Sequence, residues 1–144
     1  FQGVDLCTEF ATEYSNTIGP CFNGPIQEFH SDRHFDAIII VTTLMYLEVS
    51  EYQPVLDRLW SMRNQGGRII CIEPASELFT LWRRLTGKPS ASPTGGNVGH
   101  FSIELFTDKF TCLDGARISN SGSITLLPRI KSTSVHHAIA VSKE

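Results

Sequence analysis

Apolar residues run unbroken from Ala37 to Val41, behind Asp36 and ahead of Thr42 and Thr43, and Ile38, Ile39, Ile40 and Val41 are all β-branched. The run is too short to cross a bilayer and too uniform for a half-exposed strand. It predicts a strand covered by helices on both faces of a parallel sheet. Ile69 to Ile72 form a second such run. Between the two, Val55, Leu56, Leu59, Trp60 and Met62 recur at helical spacing. Ser50 and Gln53 have capping-box spacing, Pro54 suits a first turn, and Gly66-Gly67 supplies the stop. These pieces make a strand–helix–strand unit with a right-handed crossover. In such sheets ligands bind beyond the carboxyl ends of the strands, which directs attention to Val41, Thr42, Glu73 and Pro74.

The same reading extends along the chain. Gly3 to Leu6 reads as a short strand, and Thr8 to Ser15 as a helix with Phe10, Ala11 and Tyr14 as its core face. After Gly19-Pro20 comes a strand near 21–26, with Pro25 at its end or edge because proline cannot donate to a ladder. Residues 77–85 are amphipathic and stop at Gly87, and 88–99 form a loop rich in Gly, Pro and Ser. Ser102 starts a helix carrying Ile103, Leu105, Phe106 and Phe110 and ending near Gly115. Strands near 116–126, with an irregularity at Gly122, and 135–142 close the chain. Paired as a hairpin, they make the last strand antiparallel to the rest. The whole of 1–144 is expected to be one α/β domain, a three-layer sandwich around a mostly parallel sheet with strands near 3–6, 21–26, 36–42, 68–73, 116–126 and 135–142.

Composition narrows the function classes. The chain has 144 residues, is 41% hydrophobic and carries a formal net charge of −3, which argues against a nucleic-acid surface. No apolar run reaches the ~20 residues of a membrane span, and no signal peptide opens the chain, so a cytoplasmic location with no membrane partner is expected. Cys7, Cys21, Cys71 and Cys112 lie far apart with no CxxC, which favours reduced thiols. Phe1-Gln2-Gly3 matches both a protease-site scar and a strand's beginning.

Asp5 can act in two ways. An acid ending a parallel strand can accept both hydroxyls of a ribose, or it can cap the helix that follows. His30 and His34 have i,i+4 spacing but no third ligand nearby, so no metal site is expected. His136 and His137 face opposite ways on a strand and read as structural.

In this order and spacing the pieces resemble the class I, Rossmann-like S-adenosylmethionine-dependent methyltransferases. Gly3-Val4-Asp5-Leu6 looks like that family's second strand with its ribose-binding acid. Gly24-Pro25-Ile26 looks like the end of the third strand, and Phe35 through Leu47 like the fourth strand and its turn. Gly66-Gly67 through Pro74 resembles the glycine turn and fifth strand, and the two-strand ending resembles the sixth and seventh. The resemblance implies S-adenosyl-L-methionine as cofactor, with Asp5, Leu6, Pro25, Ile26, Val41 and Thr42 around its adenosine. Tyr46, Trp82 and His100 are the candidates to touch the methyl acceptor, expected to be a small molecule. No catalytic residue is assigned, because an in-line displacement relies mainly on positioning.

Two departures from the family's pattern matter. Its first strand and glycine-rich loop are absent from these residues. The small or acidic residue usual beside the ribose contact at the third strand is replaced by Pro25, which cannot donate a backbone hydrogen bond. A second copy or a missing N-terminal segment is therefore expected to complete the sheet, and residues 1–144 alone are expected to bind the cofactor weakly. Two other functions stay open. One is a catalytically inactive methyltransferase-like interaction module. The other is an NAD-dependent dehydrogenase, in which an acid ending the second strand also reads ribose.

Overall fold

The computed structural model describes residues 1–75, 85, 103–125 and 134–143. The chain divides into two compact units, Phe1–Arg33 and His34–Glu144.

In the first unit, strand β1 (Gly3–Asp5), helix α1 (Thr8–Thr17) and strand β2 (Cys21–Asn23) form a strand–helix–strand unit. The two strands pair in parallel, with Gly3 opposite Cys21 and Asp5 opposite Asn23. β2 ends at Asn23, not near residue 26, because Gly24 and Pro25 leave the ladder and a 3-10 turn, Ile26–Glu28, follows. Pro25 adopts φ −67° and ψ 141°, the extended geometry that suits entry to that turn. Helix α1 runs two residues past Ser15, and of its expected core face Ala11 is buried while Phe10 is exposed.

The second unit holds β3 (Phe35–Val41), α2 (Val49–Ser61), β4 (Arg63–Pro74), α3 (Ile103–Thr111), β5 (Ala116–Thr125) and β6 (Ser134–Lys143). Its sheet has the order β3-β4-β6-β5. β3 and β4 are parallel, and β6 is antiparallel to both of its neighbours. The last strand is thus inserted between β4 and β5 and runs against all the others, as the hairpin reading required.

One face of this sheet is the core. Ile40, Ile69, Cys71, Glu73, His137, Ile139 and Val141 are buried, and the register sets Ile40 beside Cys71, Cys71 beside Ile139 and Glu73 beside His137. Tyr52, Val55, Leu56 and Leu59 of α2 and Phe110 of α3 are buried as well. Trp60 donates its indole N–H to the Asp114 carbonyl at 2.9 Å and stacks under the Arg63 guanidinium. Burial of β3 on both faces is not observed. Ile39 is 66% and Val41 51% exposed. A continuous apolar run says what a chain can bury, not what lies against it.

Helix α2 starts earlier than the Ser50–Gln53 spacing implies. Glu48 and Glu51 form the capping box, with the Glu48 amide donating to Glu51 Oε2 at 2.8 Å. Pro54 consequently sits in the second turn, where its missing N–H forfeits one helical bond. Met62, not Gly66, closes the helix, and Gly66-Gly67 lies inside the Arg63–Pro74 strand. There the register jumps from Phe35 opposite Arg63 to Ala37 opposite Arg68. Gly66 takes φ +77°, and a Cβ on Gly67 would lie 2.8 Å from the Phe35 carbonyl oxygen. The pairing is regular at Gly122 and shifts instead between Ile118 and Asn120, where the Ser119 hydroxyl donates to the Ala140 carbonyl, and again between Ile124 and Thr125. The helix over 77–85 and the loop over 88–99 fall outside the described residues, apart from Leu85, which is helical and exposed.

Candidate functional site

The carboxyl end of the β1–β2 pair gathers four of the expected residues. Asp5 closes β1, and Leu6 follows it as an exposed apolar side chain. Asp5 Oδ1 accepts the Cys7 N–H at 2.7 Å, an Asx-type turn that leads into α1. A carboxylate has about four acceptor positions, so this bond leaves most of its capacity available. Cys7 sits at the N-cap of α1 without a side-chain bond to the helix backbone, its thiol donating instead to Glu9 Oε2 at 3.1 Å. Asp5 is therefore a helix-entry residue whose second oxygen has no protein partner among the described residues.

Asn23, on the facing strand end, fixes this corner. Its amide nitrogen donates to the carbonyls of Asp5 at 3.0 Å and Leu6 at 3.2 Å, while its carbonyl accepts from the Thr8 hydroxyl at 3.0 Å. The Gly24 amide adds a further bond to the Asp5 carbonyl at 3.0 Å. Pro25 and Ile26 leave directly from this clamp, and the Glu28 amide donates to the Pro25 carbonyl. Sequence reasoning placed Asn23 only in or beside the short strand near 21–26. An asparagine ending a short parallel strand before Gly-Pro is the pattern that could have revealed it.

The second unit has its own carboxyl end, formed by β3 and β4. Thr42 continues the ladder, donating to the Ile72 carbonyl at 2.9 Å. Its φ is +48°, a left-handed conformation that is strained for a β-branched residue. A 3-10 turn, Leu44–Tyr46, follows. Its start is held by Glu73, a residue 0% exposed at the end of β4. Glu73 Oε1 accepts the amides of Thr43 at 2.9 Å and Leu44 at 2.8 Å, and Oε2 accepts that of Met45 at 3.2 Å.

Burial pushes the Glu73 carboxyl above its ordinary range, and the three amide donors pull it back. Their own burial first, and the Glu73 charge second, raise Cys71 well above the usual thiol value and raise Tyr52 as well. The buried His137, opposite Glu73, shares a 2.8 Å hydrogen bond between its Nδ1 and the Ser123 hydroxyl. Sequence reasoning marked Glu73 as lying where chemistry is found but did not see what it holds.

Tyr46, at the end of the clamped turn, is 56% exposed. Trp82 and His100 lie outside the described residues. His30 and His34 sit in a connection that is not helical, so their i,i+4 spacing does not place them on one helix face. Among the described residues no group of three His, Cys, Asp or Glu is arranged to hold a metal, and all four cysteines are free. Nor is any helix among them long and apolar enough to cross a membrane.

No family model and no curated protein matches the chain. Solved structures do. An S-adenosylmethionine-dependent methyltransferase from Mesorhizobium loti is 10% identical, the match covering 99% of this chain and 79% of that one at a TM-score of 0.74. One from Clostridium acetobutylicum is 11% identical, over 99% of this chain and 74% of that one, at 0.73. Magnesium protoporphyrin IX methyltransferase from Synechocystis, solved with bound SAH, is 13% identical over 99% of this chain and 63% of its own, at 0.63. Identities this low speak for architecture alone. This chain has the Rossmann-like α/β fold of the class I S-adenosylmethionine-dependent methyltransferases.

Proposed function

We propose that this protein is an S-adenosyl-L-methionine-dependent methyltransferase acting on a small-molecule acceptor. The observation that carries the reading is the Asp5 carboxylate, fixed at the carboxyl end of a parallel strand pair with one oxygen spent on Cys7 and the other without a protein partner among the described residues. That donor-poor, acceptor-rich corner suits a vicinal diol, and the exposed Leu6 beside it suits the edge of an adenine. Pro25 and Ile26 leave from the same corner. Val41 and Thr42 end β3 and are the cofactor-side candidates of the second unit.

When bound, S-adenosyl-L-methionine supplies an activated methyl group. The protein's share of the work is to hold the nucleoside and exclude water. Tyr46 offers a phenol to an acceptor. One of the solved structures of similar fold supports a small-molecule acceptor by its name: a magnesium protoporphyrin IX methyltransferase.

Amide shifts in 15N-labelled protein, titrated separately with S-adenosylhomocysteine and with NAD, test this. Saturable shifts at Asp5, Leu6 and Ile26 with S-adenosylhomocysteine are expected. Shifts with NAD alone would move the reading to a dehydrogenase. Silence with both would leave an interaction module.

A further inference from the structure

We propose that Glu73 is a positioning residue for the wall of the site at β3: its buried carboxylate holds the Thr42–Tyr46 turn in the strained conformation that leaves Val41 and Tyr46 exposed. The inference rests on the methyltransferase reading for what the wall touches, but not for the clamp itself.

Strain in a backbone persists only where its surroundings over-determine it. Thr42, at φ +48°, is pinned on both sides. Its own N–H is fixed to the Ile72 carbonyl, and the next three amides, of Thr43, Leu44 and Met45, all converge on Glu73. Only a carboxylate can do this. It is acceptor-only at both oxygens, whereas a glutamine in the same place would turn an NH2 toward one of the three donors.

The side chain stands in a buried row, two residues from Cys71 and opposite His137, where an apolar residue would pack without any desolvation cost. A charge kept there is accounted for by the turn it holds. That turn lies at the carboxyl end of a parallel pair, the end at which such sheets bind ligands. A misplacement of ~1 Å at a reacting group can cost ~100-fold in rate.

Four 15N-labelled proteins decide the matter: wild type, Glu73→Gln, Thr42→Gly and the double variant, each followed by amide hydrogen exchange and by S-adenosylhomocysteine titration. In Glu73→Gln the amides of Thr43, Leu44 and Met45 are expected to exchange at least about tenfold faster, the loss of roughly one net hydrogen bond. Ile70 and Val141, in the β4–β6 ladder, should keep their protection. Ligand affinity should fall about tenfold and recover in the double variant, where glycine adopts the left-handed φ freely.

Unchanged protection at 43–45, unchanged affinity in Glu73→Gln, or no recovery in the double variant would each overturn the proposal. Should Glu73→Gln fail to fold, Thr42→Gly alone decides. A thermal midpoint at or above wild type supports a strained Thr42, and a lower one overturns it. A wild type that gives no response to S-adenosylhomocysteine would remove the methyltransferase reading and the role of the wall, while the exchange rates still judge the clamp.

Discussion

Asp5 makes two claims that substitution can pull apart. As a turn residue it holds the Cys7 amide at 2.7 Å on one oxygen. As a ligand residue it would accept two ribose hydroxyls on the rest. Asp5→Asn keeps a carbonyl oxygen where Oδ1 stands, so the turn survives as a neutral hydrogen bond. The charge-assisted part of that bond and its favourable place at the start of α1 are lost, together about 1 kcal/mol. Asp5→Ala removes the bond altogether and should cost about 2 kcal/mol of stability.

The ligand is affected differently. Charge-assisted bonds to two hydroxyls are worth about 2–3 kcal/mol, so Asp5→Ala should weaken S-adenosylhomocysteine binding by roughly 30- to 150-fold. Asp5→Asn retains an acceptor but turns a donor toward the diol, so it should lose most of the same affinity while keeping most of the stability. Urea unfolding gives the first quantity and a calorimetric or amide-shift titration gives the second. The reasoning is refuted if Asp5→Ala loses stability but binds as wild type does, since Asp5 would then be a helix-entry residue and nothing more.

Three further outcomes follow from packing and charge. Leu56 is fully buried on α2, so Leu56→Ala should cost about 3 kcal/mol in urea unfolding, and a loss under about 1 kcal/mol would show that the core relaxes around it. Gly67→Ala would drive a Cβ against the Phe35 carbonyl at 2.8 Å and should destabilise by about 1–3 kcal/mol. Gly66→Ala, with nothing within 4 Å but φ +77°, should cost only about 1 kcal/mol, and a reversed order would contradict a close backbone approach at Gly67. Glu73 has a folded-state pKa raised above its ordinary 4.5, so the native form retains a proton that the unfolded chain has released. Its contribution to stability should therefore decline as pH rises from about that value through the raised one, then level off. The difference in urea midpoint between wild type and Glu73→Gln across this range measures it, and a difference that grows with pH would invert the sign.

What the sequence disclosed was periodicity. Ile38 to Val41 and Ile69 to Ile72 are read as neighbouring parallel strands because β-branched runs flanking an amphipathic helix have few other solutions, and they pair in register over that length. The terminal hairpin was legible for the same reason. Boundaries were not. Ser50–Gln53 and Glu48–Glu51 both have capping-box spacing, and only the hydrogen bond from Glu48 to Glu51 selects one of them. Strand β2 lost its last residues because Pro25, directly after the Gly24 amide's bond to the Asp5 carbonyl, has no N–H to offer the ladder.

Glu73 marks where reading a sequence along its length stops. A carboxylate ending an apolar strand before proline states its own position, and the general habit of α/β sheets makes that position interesting. Its meaning lies in three amides some thirty positions earlier in the chain. Nothing in Thr42-Thr43-Leu44-Met45 announces a left-handed residue, since threonine is among the last choices for one. The conformation exists because a distant acceptor makes it the cheapest way to satisfy three donors, one of which, on Leu44, is buried. Strain and clamp are two halves of one arrangement, and each is invisible in sequence without the other. If the reading is right, Thr42→Gly and Glu73→Gln will not be additive. The glycine should relieve part of what the glutamine costs, and a double-mutant cycle giving a coupling near zero would separate the two residues for good.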